Sequence, residues 1–408
     1  MCIPLPVAPA PRIMGPMTKR VTLLIDSMAA GGAQTQIALL AATLDRSRYV
    51  PRLVWYNAAP RAAELAPDID TLQLPRGGRF DPKFFAALAR LGSRQHTDIV
   101  HAWLSVPAAY ATVAGALPFH APVISAIRCA IGALQAERNI ALLYGSSAWL
   151  GNHVTINAHD VAPWLSEKGI PPKHIEFIPN MLPPAIVHRQ VSTPNQRAEL
   201  LVSLGLDPAR PPIGHLARFD RYKNQDGLVQ ALADVRDKLG EVPPLLLAGR
   251  QQDGDRVAHV RGLAQQRNLD VRIIPPVLDA ATLMEACRFT VLPSHSEGTP
   301  NAVLEAMGLA TVVVATAVGQ VPELIVHGET GFLCVPGDRG ALAAALEAAL
   351  TQSPAAATQM GAMARRKMVS RFEPTVIAGQ YADLYDRVIA QDQPVWRARL
   401  LDVARRLR

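Results

Sequence analysis

The chain has 408 residues, 49% of them apolar and 18% charged, with a net charge of +7. That apolar share can bury real cores, which excludes disorder as the main state, and the length suggests two domains. No run of about 18 uncharged apolar residues occurs, so a membrane-spanning helix is not expected. The start, MCIPLPVAPAPRIMGPMTKR, lacks the charged opening and apolar core of a secretory signal. Cys2, Cys129, Cys287 and Cys334 form no CxxC pair or metal-type cluster, which suits a reducing cytosol. The excess charge favours an anionic partner, but much of it lies in Val395–Arg408, with five Arg against one Asp. A nucleic-acid binder is disfavoured, because the charge is local and no aromatic-basic platform accompanies it.

The first half alternates short apolar runs with helical stretches. Strands are predicted at Val21–Ser27, Pro51–Asn57, Thr71–Leu74, Asp98–Leu104, Pro122–Arg128, His153–Ala158 and Ile175–Pro179, with helices at Gly31–Leu44 and Lys83–Leu91. Continuous apolar runs fit strands covered on both faces, so the sheet is expected to be parallel and doubly wound. Met181–Pro212, rich in Pro, Gln, Ser and Arg, reads as a linker in which Gln196–Leu204 is a candidate helix. Alternation then restarts, with strands at Pro212–Ala217, Leu245–Ala248, Val271–Ile274, Phe289–Pro293, Thr311–Ala315 and Phe332–Val335. Helices follow at Asn224–Leu239, Thr282–Cys287, Gly340–Leu350 and Ala355–Arg371. The expected division is a tail over 1–19, an N-terminal domain over 20–182 and a linker over 183–211. A C-terminal domain over 212–372, a helix over 373–392 and a basic amphipathic helix over 393–408 complete it. Two such sheets facing one another would form a ligand cleft at their strand ends.

Four stretches could carry chemistry. Ser294–Met307, SHSEGTPNAVLEAM, follows an apolar strand. Gly298 permits unusual backbone, Pro300 suits a helix start, and the first-turn N–H groups make a phosphate-sized anion site. Glu297 and Glu305 would share a face of any helix that spans both, and ionised carboxylates accept from sugar hydroxyls. A capped helix with one exposed and one salt-bridged Glu is the plainer alternative. In Gly214–Asn224, GHLARFDRYKN, the cations Arg218, Arg221 and Lys223 cluster after a strand, where they can hold a diphosphate or merely face solvent. Met28–Gln34, MAAGGAQ, opens a helix with Gly31 and Gly32, which let backbone approach a ligand; it is neither GxGxxG nor a Walker A loop. Thr316–Gly331 reads as turn and glycine hairpin around Glu323.

In this order, Arg218 to Lys223, the strand ending at Ala248-Gly249, Glu297-x7-Glu305 and VGQVPELIVHGETGFLC resemble retaining glycosyltransferase family 4. The most specific part is Ser-Glu-Gly-x-Pro-Asn at Ser296–Asn301 followed by Leu304-Glu305-Ala306-Met307. The resemblance covers roughly residues 20–390 and is strongest over 212–337. It implies an α/β GT-B fold of two Rossmann-like domains with parallel sheets facing across a deep cleft, and a last helix, Thr375–Gln391, that returns to the N-terminal domain. By position, Arg218 and Lys223 would hold the donor diphosphate and Glu305 the ribose hydroxyls. Glu297 would contact the transferred sugar. The N–H groups of Gly298, Thr299, Pro300, Asn301 and Ala302 (all but the proline's) would face sugar and phosphate. Gly31 and Gly32 would close on the donor from the other domain.

No cofactor or metal is expected from the resemblance, although Asp68-Ile-Asp70 and Asp253-Gly-Asp255 are formal DxD strings. Arg128 stands where many members have His; Arg cannot act as a base but can orient an acceptor phosphate. His101 is the other acceptor-side candidate. Asn180-Met181 replaces a usual Asn-Gly, and Pro275-Pro276 a common Gly, so a base pocket different from the family's is expected. The implied activity is transfer of a sugar from a UDP- or GDP-linked donor to a glycan acceptor, lipid-linked in many relatives, for surface polysaccharide or glycoconjugate. The expected site of action is the cytoplasm, peripheral on the membrane if Val395–Arg408 lies on an anionic leaflet. A sugar-nucleotide epimerase on the same scaffold and a catalytically silent partner subunit are the rival readings.

Overall fold

The computed structural model describes residues 18–391, apart from 30, 58–66, 79–80, 116, 118–119, 252–253 and 276–278. The basic stretch Val395–Arg408 lies outside the described residues. The first sheet comprises β1 (Lys19–Leu24), β2 (Tyr49–Trp55), β3 (Asp70–Gln73), β4 (Ile99–Trp103), β5 (Val123–Ile127), β6 (His153–Ile156) and β7 (Ile175–Phe177). The second comprises β8 (Ile213–Leu216), β9 (Leu245–Ala248), β10 (Val271–Ile274), β11 (Phe289–Leu292), β12 (Val313–Thr316) and β13 (Phe332–Cys334). Their orders are β3-β2-β1-β4-β5-β6-β7 and β10-β9-β8-β11-β12-β13. Pairs such as β1 with β4 and β8 with β11 are parallel. Each sheet is therefore Rossmann-like, and each reverses its strand order once, beside β1 and beside β8, which is where such sheets bind ligands.

The burial follows the strand pleat. Leu245 and Leu247 face one core, with Val229, Leu232 and Leu346 from flanking helices. Leu246 and Ala248 point to the other face, against Leu201, Leu206, Leu283 and Ala286. Continuous apolar runs thus belong to strands buried on both sides. In the first sheet, Leu24, Val54, Val100 and Val123 meet Phe84, Leu88 and Ala111. The helix Pro82–Leu91 that brings Phe84 and Leu88 is capped by Asp81, which accepts from Lys83 and Phe84 N–H at 2.9 and 3.2 Å.

By packing, the chain forms two compact units. The first holds the described residues up to Ala126, Leu143–Val154 and those from Ala378; the second holds Ile127–Leu142 and Thr155–Ile377. This differs from a boundary at 182. Residues after β5, β6 and β7 hydrogen-bond to the loop after β11, which joins them to the second unit. The stretch 183–211, read as a linker with a candidate helix at Gln196–Leu204, packs into the second unit. It carries helices Pro184–Val187 and Pro194–Ser203, the latter closed by a Thr193–Gln196 capping box. Leu201 and Leu206 then bury against the second sheet. Polar composition concealed one apolar stripe.

The last described helix, Pro374–Ala390, packs its later turns on the first sheet. Tyr49 donates to the Ala382 carbonyl at 3.0 Å and to Asp386 at 2.5 Å. Lys19 and Arg48 also reach Asp386, at 2.6 and 2.5 Å. Burial is the largest single influence and raises the Asp386 pKa, but the hydrogen bonds from Lys19 and Tyr49 with the charges of Lys19 and Arg48 together outweigh it and hold the carboxyl below its ordinary range. Its folded pKa is depressed, so its contribution is present above the unfolded value and lost as pH falls through the folded one. Because the pair is a third exposed, Asp386→Asn should cost only about 1 kcal/mol. Thermal unfolding across pH should show that gap constant from pH 8 to 5 and closing below pH 4. A gap that persists at low pH would show that packing, not charge, is at work.

Candidate active site in the second unit

β8 and β11 are neighbours at the strand-order reversal, so the loops that leave their C-terminal ends meet. The first loop begins at Arg218. Asp220, buried, accepts from the N–H groups of Tyr222 and Lys223 at 2.9 and 3.1 Å and so shapes the short 3-10 turn Arg221–Lys223. Asn224 adopts a left-handed backbone, φ 52°, and its side chain caps the helix Gln225–Leu239 by accepting from Gly227 N–H. Its amide also donates to the Pro293 carbonyl at the end of β11, at 3.1 Å. His295 N–H donates to the Tyr222 carbonyl at 2.8 Å. These bonds stitch the basic loop to the acidic one.

The result is a contact between Lys223 Nζ and Glu297 Oε1 at 2.5 Å, with side chains only 15% and 10% exposed. Of the expected site cations, Arg218 is half-exposed and lies 3.2 Å from Asp220. Gln225 fixes its backbone, donating to the Arg218 carbonyl at 2.8 Å. Below lies His215, fully buried, with Nδ1 2.8 Å from the Val291 carbonyl and Nε2 facing the Gln225 amide. Burial pushes its pKa down to about 4, so it is a neutral spacer under the cations.

The helix after β11 runs over Asn301–Gly308. Glu297 is thus in the loop, and no helix spans Glu297 and Glu305. Pro300 immediately precedes the first helical residue. Glu305 is half-buried and has no hydrogen-bonding or charged partner among the described residues; burial alone pushes its pKa up to about 7. Thr299 is buried, with its hydroxyl donating to the Asn157 carbonyl. Asn301 accepts from Asn180 at 2.7 Å, and Asn180 also donates to the Thr299 carbonyl at 2.8 Å. Gly298 lies against Asn157, whose Oδ1 would be 2.9 Å from an added Cβ. Gly319, at φ 52°, is tighter: a Cβ there would come 2.0 Å from the Glu297 carbonyl oxygen. Only glycine fits that approach, and Gln320 N–H donates to the Gly298 carbonyl beside it at 3.1 Å. Ala302 opens the helix's first turn, whose N–H groups lack intrahelical acceptors. Asn157, Asp220 and Gln225 were not anticipated as site builders; an Asn ending a strand was the available signal for the first.

The remaining candidates fall elsewhere. His101 is fully buried in β4, with Nδ1 2.8 Å from the Tyr385 hydroxyl and its ring against Trp103 and Tyr381. It faces packed aromatics rather than a strand end. Arg128 donates to the Ile178 carbonyl at 3.1 Å. Gly31 precedes the helix Gly32–Thr43 with extended backbone, φ −179°, and meets only the flexible Gln34 side chain, so its conformation does not demand glycine. Gly31 and Gly32 belong to the first unit. Asp70 pairs with Arg52 at 2.6 Å across neighbouring strands. No group of three potential metal ligands occurs among the described residues.

Two family models match the chain: Glycosyltransferase Family 4 over residues 30–185 and Glycosyl transferases group 1 over 196–367. The N-acetyl-alpha-D-glucosaminyl L-malate synthase of Bacillus anthracis is 25% identical over 327 residues, 77% of this chain and 81% of that protein. The alpha-maltose-1-phosphate synthase of Mycobacterium tuberculosis is 33% identical over 216 residues, 48% of this chain and about half (53%) of that protein. Among solved structures, Anabaena HepE in complex with UDP and glucose superposes with a TM-score of 0.78. Its identity is 19%, over 90% of this chain and 100% of that one. Fold and family models agree on a GT-B α/β protein. The chain is a glycosyltransferase of the family 4 type, a transferase enzyme.

Glu305 gives a test of the local field. Its folded pKa is raised, so the native state keeps a proton that the unfolded chain has lost between pH 4.5 and 7. Stability therefore falls as pH rises through that window. Glu305→Gln mimics the neutral acid and should equal wild type in melting temperature at pH 4.5 yet exceed it at pH 8. Equal melting temperatures at pH 8 would show that the carboxyl is solvated.

Proposed function

We propose that the enzyme moves a sugar from a nucleoside diphosphate donor, UDP-linked first, to a hydroxyl of a glycan acceptor, with retention at the anomeric carbon. The Lys223–Glu297 contact beside the helix Asn301–Gly308 is the observation that carries this reading. Glu297 holds Lys223 in place among mostly buried groups. An incoming diphosphate offers the ammonium a second anionic partner, and Arg218 can turn from Asp220 to join it. When the bond from the anomeric carbon to the diphosphate oxygen breaks, negative charge grows on that oxygen. Lys223, Arg218 and the N-terminal N–H groups of the helix stabilise it. The acceptor oxygen bonds to the anomeric carbon as that bond breaks, and its proton passes to the departing diphosphate oxygen on the same face. Glu297, beside the reacting sugar, accepts hydrogen bonds from its hydroxyls and favours the cationic sugar. Glu305 accepts from ribose hydroxyls, and with no partner among the described residues it is available for them.

The comparisons support this choice of substrates. The HepE structure holds UDP and glucose, and the two relatives' names specify a glucosaminyl malate and a maltose phosphate. No metal is needed in this scheme, because the two cations do the work of charge neutralisation. A lipid-linked acceptor at the cytoplasmic membrane face suits the basic segment Val395–Arg408. No described helix is long and apolar enough to cross a membrane.

Calorimetric titration with UDP, GDP and ADP tests the reading. UDP should bind saturably and without change on adding EDTA, and Glu305→Ala should weaken it at least tenfold. Folded wild-type protein that binds none of the three would overturn the proposal.

A further inference from the structure

The first unit carries its own cluster of chemistry at the C-terminal ends of β1, β2 and β3, beside that sheet's strand-order reversal. Asp26 follows β1; Ser27 N–H donates to its carboxylate at 2.7 Å, and burial raises its pKa. Tyr56 follows β2. Its side chain is 4% exposed, and its hydroxyl has no hydrogen-bond partner among the described residues. Arg76 lies just past β3, with its guanidinium carbon 4.9 Å from the centroid of the Tyr56 ring. No carboxylate is in ion-pair range of it among the described residues. Phe84 and Tyr110 stand edge-on to Tyr56, at 5.1 and 6.2 Å between centroids.

These groups have complementary uses. A guanidinium laid on an aromatic face is held flat and partly desolvated, with its donor fork directed outward to a planar anion. The Asp26 carboxyl accepts from hydroxyl groups. The buried Tyr56 hydroxyl, which has no partner among the described residues, is satisfied when a polar ligand brings one. At another strand end of this sheet, Arg128 donates to the Ile178 carbonyl.

We propose that Asp26, Tyr56 and Arg76 form the acceptor subsite, and that it takes a polyhydroxylated acceptor bearing a phosphate or carboxylate. The inference rests on the glycosyltransferase reading for its role, but not for its chemistry. Arg76 forks the anion, Asp26 and Tyr56 bind hydroxyls, and the aromatic edges meet the apolar face of the sugar.

The test uses the full chain with saturating UDP. Glucose 6-phosphate, glucuronate and glucose are titrated against wild type, Arg76→Gln, Arg76→Lys and Tyr56→Phe, followed by NMR or calorimetry. At least one anionic sugar should bind at least tenfold tighter than glucose, and the two anionic probes separate phosphate from carboxylate. Arg76→Gln should abolish that preference, Arg76→Lys should keep part of it, and Tyr56→Phe should weaken all three sugars. UDP affinity should stay unchanged throughout, which shows that the variants are folded. Glucose bound as tightly as both anions, no sugar bound at all, or Arg76→Gln indistinguishable from wild type would each overturn the subsite. Loss of UDP binding by wild type would instead count against the donor reading, with the sugar titrations still deciding this one.

Discussion

The contact between Lys223 and Glu297 is the constraint around which the second unit is arranged. The two residues are 74 positions apart, and they meet because β8 and β11 are adjacent where the strand order reverses. Both charges are largely withdrawn from water, so neither is stable without the other. Removing one partner of such a pair costs about 3–5 kcal/mol, whereas the intact pair contributes little to stability. Its persistence is therefore better explained by what it does with a ligand than by what it does for the fold. A phosphate arriving beside Lys223 relieves an ammonium already held in position.

Much of the surrounding backbone serves to keep that contact in register. Asp220 and Asn224 shape the basic loop from within, while Asn157 and Asn180 hold the acidic loop from outside through Thr299. Gly319 lets a third segment pass directly over the Glu297 carbonyl. Arg365 ties the far end of the helix Asn301–Gly308, donating to the carbonyls of Gly308, Ile186, Val187 and Arg189. The helix that carries Glu305 is thus fixed at both ends. A site built this way loses little further order on binding, since its polar groups are already oriented.

The charged groups divide by environment rather than by type. Glu297 sits against a cation, while Glu305 faces none among the described residues and keeps a proton to about pH 7. His215, deeper still, stays neutral and acts as structure. In the first unit His101 has been drawn into an aromatic cluster, while Arg76 remains on the strand-end edge. The basic residues that matter for chemistry are those that secondary structure leaves at strand ends.

The strands and the two-sheet plan were legible in the sequence because runs such as Leu245–Ala248 and Phe289–Leu292 are apolar on both faces, and only doubly covered strands need that. Arg218, Lys223, Glu297 and Glu305 were legible as candidates because loops after apolar strands carry few other reasons for charge. What the sequence could not contain was partnership. That Glu297 meets Lys223 while Glu305 meets no cation among the described residues depends on strand adjacency and on a helix that begins only at Asn301. That His101 is packed among aromatics depends on where the helix Pro374–Ala390 docks, since Tyr381 and Tyr385 lie on it. Local pattern sets which residues leave a strand end; non-local packing sets what each of them faces, and the charge state follows from that.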